Sequence, residues 1–129
     1  MKRIVLILMA VLCAAFAADA KGGKSGEISF KVKVHDFGYI QESKGPVSYN
    51  FEFTNIGSTP LMIVSARAQC GCTRPEFPKQ PIRPGEKGYI KVTYVPKNRP
   101  GSFDKSVEVR TSNNTEVIRV RGNVIPAMK

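Results

Sequence analysis

Two thiols one residue apart, Cys70 and Cys72, with Gly71 between them, are the groups best equipped for chemistry in this chain. Residues i and i+2 of a strand project to one face, so the two sulfurs can meet. A fully extended backbone holds such Cα atoms near the upper limit for a disulfide, about 6.8 Å, and a bend at Gly71 would bring them closer. A bridge here closes a very short loop, so it restricts the unfolded chain little, and its strain would make it easier to reduce than a core disulfide. Four chemistries are open. They are a paired element, bridged or reduced, that shapes the loop before Thr73; a metal site; a reactive thiol; and a point of covalent attachment. The first carries the most weight, because most features of a small domain are structural. Two thiolates suit Zn or Cu(I), but structural zinc takes four ligands. His35, Met62 and Met128 are the soft donors left to add, so the metal alternative is Cys70 and Cys72 with His35. A lone histidine beside a strand is more often a packing or surface residue than a ligand. Arg67 and Arg74 flank the pair, and such neighbours lower a thiol pKa.

The count of two cysteines depends on the N-terminus. Lys2 and Arg3 precede an uncharged apolar run from Ile4 to Phe16, and Ala15-Phe16-Ala17 and Ala18-Asp19-Ala20 are both small-x-small cleavage sites. That layout predicts a signal peptide over residues 1–20. The run is too short to cross a bilayer core of about 30 Å as a helix. Cys13 lies inside the run after the bulky Leu12, where lipid attachment is disfavoured, so it is expected to be lost with the signal. The mature chain would then sit in the periplasm or cell envelope, or be secreted, and an oxidising compartment permits a disulfide. No later segment resembles a transmembrane span.

The formal charge is +10, and it falls by one with the loss of Lys2, Arg3 and Asp19. Lys31, Lys33, Lys91, Arg110, Arg119 and Arg121 spread it over outward positions, which keeps a surface soluble and guards strand edges. Its functional counterpart is attraction to an anionic envelope surface or an acidic protein. Nucleic acid is not an expected partner after export, and no reading motif for it is present. Glycine-rich phosphate loops, Gly-x-Ser-x-Gly and His-Glu-x-x-His are all missing, so no catalytic residues and no cofactor are assigned.

The elements that must position the cysteines follow from period two. Residues 21–26 form a leader without apolar side chains, and residues 27–125 form the domain. Ile28, Phe30, Val32 and Val34 alternate with polar neighbours; so do Val47, Tyr49, Phe51 and Phe53; Ile90, Val92 and Tyr94; Val107 and Val109; and Ile118, Val120 and Val124. Such alternation predicts half-buried antiparallel strands. Leu61 to Val64, apolar throughout, reads as a central strand covered on both faces. Asn55-Ile56-Gly57, Arg83-Pro84-Gly85, Arg99-Pro100-Gly101 and Ser112-Asn113-Asn114 are turns, and no helix is expected. The prediction is an all-β chain: a single immunoglobulin-like β-sandwich of about seven antiparallel strands. Neighbouring cysteines exclude the usual core disulfide, and there is no Trp, so the core must rest on Phe, Tyr and aliphatic residues.

An ordered set of short motifs spans nearly the whole mature chain. It runs from His35-Asp36-Phe37-Gly38-Tyr39-Ile40 through Phe51-Glu52-Phe53-Thr54-Asn55-Ile56-Gly57 and Pro60-Leu61-Met62-Ile63. It continues with Cys70-Gly71-Cys72-Thr73, Pro81-Ile82-Arg83-Pro84-Gly85, Ile90-Lys91-Val92-Thr93-Tyr94 and Gly101-Ser102-Phe103. The set resembles the bacterial exported "domain of unknown function" family 1573. The resemblance implies an immunoglobulin-like fold and export, and supplies no catalytic residues. The resulting expectation is a non-enzymatic β-sandwich module that binds or assembles envelope partners through a strand edge. The alternative is a small periplasmic thiol-redox or metal-handling protein built on Cys70-Gly71-Cys72, with Gly71 and Thr73 supporting the loop.

Overall fold

A computed structural model describes residues 26–128. The expected signal peptide, its cleavage sites, Cys13 and all of the leader except Gly26 lie outside them. Alternating apolar residues build eight strands: β1 (Ile28–Phe30), β2 (Val34–Gln41), β3 (Val47–Asn55), β4 (Ile63–Ala68), β5 (Thr73–Glu76), β6 (Lys87–Tyr94), β7 (Gly101–Thr111) and β8 (Thr115–Ile125). One 3-10 turn, Glu42–Lys44, is the sole helical element among the described residues. One sheet has the order β1-β3-β6-β5 and the other β2-β8-β7-β4. This is the two-sheet arrangement of an immunoglobulin-like sandwich, with β2 added to the second sheet.

The inner faces meet in one core. Phe51, Phe53, Ile90, Val92 and Tyr94 come from the first sheet, and Val107, Val109, Ile118, Val120 and Val124 from the second. Tyr94 of β6 stacks on Phe103 of β7, with ring centroids 3.7 Å apart and planes 6° from parallel, so an aromatic pair ties sheet to sheet. This pair occupies the role a tryptophan and a disulfide fill in antibody domains.

Three expectations need correction. The alternation from Ile28 to Val34 is not one strand. After Phe30 the chain changes sheets: the Lys31 N–H still donates to the Glu52 carbonyl (3.0 Å), whereas the Lys33 carbonyl already accepts from Arg119 N–H (2.7 Å). Val32 and Val34 are exposed as a result. Nor are all strands antiparallel, because β2 lies parallel to β8. A chain that switches sheets between two segments enters the second sheet running beside the last strand, and period two does not report that switch. Finally, Leu61 to Val64 is not a central strand. Leu61 and Ile63 are buried while Met62 and Val64 face solvent, and β4 is an edge strand with a bulge between Ile63 and Ser65. Isolated exposed apolar residues are ordinary on protein surfaces, so an unbroken apolar run did not require two covered faces.

Asn55 ends β3 and is fully buried. Its Oδ1 accepts from Glu27 N–H (3.1 Å) and Gly57 N–H (2.9 Å). Its Nδ2 donates to the carbonyls of Thr59 (2.8 Å) and Ile82 (2.9 Å). One amide thus pins the approach to β1, the β3–β4 loop and the loop before β6.

Candidate functional site

The cysteine turn is the corner where the chain passes from β4, the edge of one sheet, to β5, the edge of the other. It is anchored on both sides by main-chain bonds. Gln69 N–H donates to the Ser106 carbonyl of β7 (2.9 Å), and Val95 N–H donates to the Cys72 carbonyl (2.8 Å). Between them Thr73 N–H reaches the Cys70 carbonyl (3.3 Å) and Cys72 N–H reaches the Cys70 Sγ (3.3 Å). The Cα atoms of Cys70 and Cys72 lie 5.3 Å apart and their sulfurs meet across the turn.

The two cysteines are not equivalent. Cys72 is 2% exposed and belongs to the core, whereas Cys70 is half-buried at its margin. Thr73 is buried too, and its Oγ1 lies 3.6 Å from Cys72 Sγ and 4.0 Å from Cys70 Sγ. Arg67 and Arg74 are exposed, opposite Glu108 of β7 and Thr93 of β6. The chain bends at Gly71, but without a conformation that only glycine adopts. Gly71 does not take a left-handed φ, and a Cβ there would meet nothing within 4 Å. The 5.3 Å spacing of the flanking Cα atoms is a bend at Gly71, made with dihedrals that alanine can also take, so Gly71→Ala is expected to change the unfolding free energy by no more than about 0.5 kcal/mol.

His35 is not brought to the cysteines as part of a metal cage. No group of three or more His, Cys, Asp or Glu that could hold a metal ion occurs among the described residues. Its ring stacks on Tyr49 (3.7 Å, 6°) and meets Phe37 edge-on (4.6 Å). Burial lowers its pKa below the usual value, with the Asp36 carboxylate opposing that shift. The unfolded chain therefore binds a proton more readily than the folded one. Stability should fall as pH drops through the unfolded value of about 6.5 and level off below the folded one. Acid titration of thermal stability should show this step in the parent protein and lose it in His35→Phe.

The four sheet edges differ in what they offer. β1 has three residues. β2 is broken by a register step between Asp36 and Tyr39, where Gly38 sits at φ 68°. β5 carries Pro75. Because Cys72 bonds β6 through its carbonyl, alternation turns Thr73 and Pro75 toward the free side, where Pro75 has no N–H to give. The same alternation on β4, set by the Gln69–Ser106 bond, pairs Arg67 with Glu108 and turns the main-chain groups of Ala66 and Ala68 outward. Their side chains pack against the core, no strand pairs with this side of β4 among the described residues, and Val64 beside them is 60% exposed. Sequence reasoning missed this edge, because it placed the Leu61–Val64 segment at the centre of a sheet.

Two four-stranded sheets packed face to face define an immunoglobulin-like β-sandwich. The chain belongs to a family described as protein of unknown function (DUF1573), whose model matches residues 28–124. No curated protein matches it. Among solved structures it is similar to a protein of unknown function from Porphyromonas gingivalis W83, with TM-score 0.68 and 14% identity over 84% of this chain and 51% of that one. It is also similar to the secreted serine protease VesC from Vibrio cholerae, with TM-score 0.57 and 12% identity over 79% of this chain and 24% of that one. The YadV chaperone gives TM-score 0.50 and 14% identity over 78% of this chain and 52% of that one. The chain spans about half or less of each, and at these identities the likeness is one of fold.

Proposed function

We propose that this chain is an exported, non-enzymatic module that takes an extended segment of a cell-envelope partner along the free edge of β4. The observation that carries this reading is the outward-facing main chain of Ala66 and Ala68, unpaired by any strand among the described residues, beside the exposed Val64. Strand addition draws affinity from such main-chain bonds and specificity from alternate side chains. The exposed Val64 and the cationic Arg67 would favour a partner segment with an apolar residue and an acidic one. A photo-cross-linker at Val64, in cells that export the protein, should give a discrete adduct that Ala66→Pro abolishes. The same cross-linker at Asn50, on the outer face of the other sheet, should give none. Adducts that survive Ala66→Pro in a folded protein, or that form equally from Asn50, would overturn the reading.

The thiol-redox alternative has a chemical obstacle. Exchange expels one sulfur as a thiolate, and a leaving Cys72 would place that charge in the apolar core. A bridge that clamps the corner fits the burial better. Envelope-isolated protein should therefore show no free thiol and no stoichiometric zinc or copper. Cys70→Ser with Cys72→Ser should cost less than about 2 kcal/mol in denaturant unfolding, because the closed loop is so short. One equivalent of metal that disappears in the double variant would revive the metal alternative.

A further inference from the structure

A hollow of about 310 Å³ lies on the outer face of the second sheet, lined by nine residues of β2, β8 and β7. That volume is at the lower end of small-ligand sites, about 300–1,000 Å³. Its shape comes from backbone irregularity. β2 steps its register between Asp36 and Tyr39, and across from the step Gly122 has no room for a side chain. A Cβ at Gly122 would lie 2.9 Å from the Gly38 carbonyl oxygen and 2.9 Å from the Phe103 ring. Gly122 thus sits closed against the β2 backbone and the Phe103 ring among the residues that line the hollow.

Around it two carboxylates are held by the protein and four other polar side chains are not. Asp36, Arg121 and Asp104 stand in one row across β2, β8 and β7. Gly38 N–H donates to Asp36 Oδ1 (2.7 Å), which fixes that carboxylate. Asp104 Oδ1 accepts from Arg119 (3.2 Å). Arg121, Ser102, Asn123 and the Tyr39 hydroxyl make no side-chain hydrogen bond or ion pair among the described residues. Tyr39 is 78% exposed at the rim.

We infer that this hollow binds a neutral, hydroxyl-rich glycan. Asp36 and Asp104 are balanced by Arg121 and by the Arg119 that pairs with Asp104, so the site lacks the net charge that an ionic ligand needs, although the chain as a whole is basic. The central Arg121 in turn repels a cation. What fits is a ligand with many donors and acceptors and no charge. Carboxylate oxygens accept from sugar hydroxyls, Arg121 donates to them, and Ser102 and Asn123 do both. The free face of Tyr39 supplies a flat apolar surface for the C–H face of a pyranose, with its hydroxyl left to bond at the edge. The hollow is separate from the β4 edge, and its occupancy does not depend on strand addition there.

Amide chemical-shift mapping by NMR tests it, with cellotetraose, maltotetraose and chitotetraose as neutral probes and a heparin tetrasaccharide as the anionic one. At least one neutral probe at millimolar concentration should move Gly38, Tyr39, Gly122 and Asn123 together. Tyr39→Ala should weaken that binding roughly tenfold, and Arg121→Ala should also weaken it. Tyr89→Ala, an exposed tyrosine on the opposite sheet, should not change it. The inference fails if no neutral probe moves those four amides, if only the heparin probe does, or if Tyr39→Ala binds like the parent.

Discussion

Phe51→Ala should lower the unfolding free energy by about 3–5 kcal/mol, the range for emptying a well-packed phenyl site. Phe51 is fully buried in β3, opposite Ile90 of β6, and its ring meets Tyr49 edge-on at 4.9 Å. Both neighbours belong to sheet frameworks fixed by main-chain bonds, so the space left behind cannot close by local collapse. For a domain of this size the melting temperature should fall by more than ~10 °C. Lys91→Ala is the control. It is one residue from Ile90 but exposed on the outer face, and should cost about 0.5 kcal/mol or less. Equal losses at the two sites would mean that β3 and β6 are paired one residue out of register.

Asn55→Ala should cost on the order of 3–4 kcal/mol. The deletion removes the side-chain partner of four main-chain groups, those of Glu27, Gly57, Thr59 and Ile82, although the Ile82 carbonyl keeps its bond from Leu61 N–H (2.8 Å). Each buried group left without a partner costs about 1–3 kcal/mol, moderated here because three of the four bonds lie near water. Asn55→Asp is the sharper variant. It keeps the acceptor for Glu27 and Gly57 yet turns a carboxylate toward the carbonyls of Thr59 and Ile82, in a fully buried position. At neutral pH it should be at least as damaging as alanine. If Asp were tolerated, the amide would not be the pin described above. Thermal or denaturant unfolding of both variants decides the matter.

Much of the sandwich was legible from period two. Phe51, Ile90, Val92, Val107, Val109, Ile118 and Val120 are core residues as alternation requires, and Lys91, Arg110, Arg119 and Arg121 face outward. What alternation cannot carry is which sheet a strand joins. Ile28 and Val34 share a phase yet belong to different sheets, because the chain crosses between them. It also cannot distinguish an edge from a centre, since Met62 and Val64 are apolar but exposed. The Asn55 pin had a partial local signal: glycine two residues on, as in a turn where a side-chain oxygen accepts from the backbone. Its bonds to Glu27 and Ile82, 28 and 27 residues away, had none. The cysteine turn was visible by residue type and spacing, but the depth of Cys72 follows only from the corner between sheets. The hollow joins residues from three separate stretches of chain and leaves no motif in any one of them.

Residue-resolved amide hydrogen exchange of the isolated protein measures directly whether β4 is an open edge. Arg67 and Gln69 donate to β7, whereas Ala66 and Ala68 have main-chain N–H groups turned away from it. The account predicts alternation along the strand, with Ala66 and Ala68 exchanging on the order of a hundredfold faster than Arg67 and Gln69. Uniform slow exchange through Ser65–Ala68 would show that the edge is already paired or covered, and would contradict strand addition at β4.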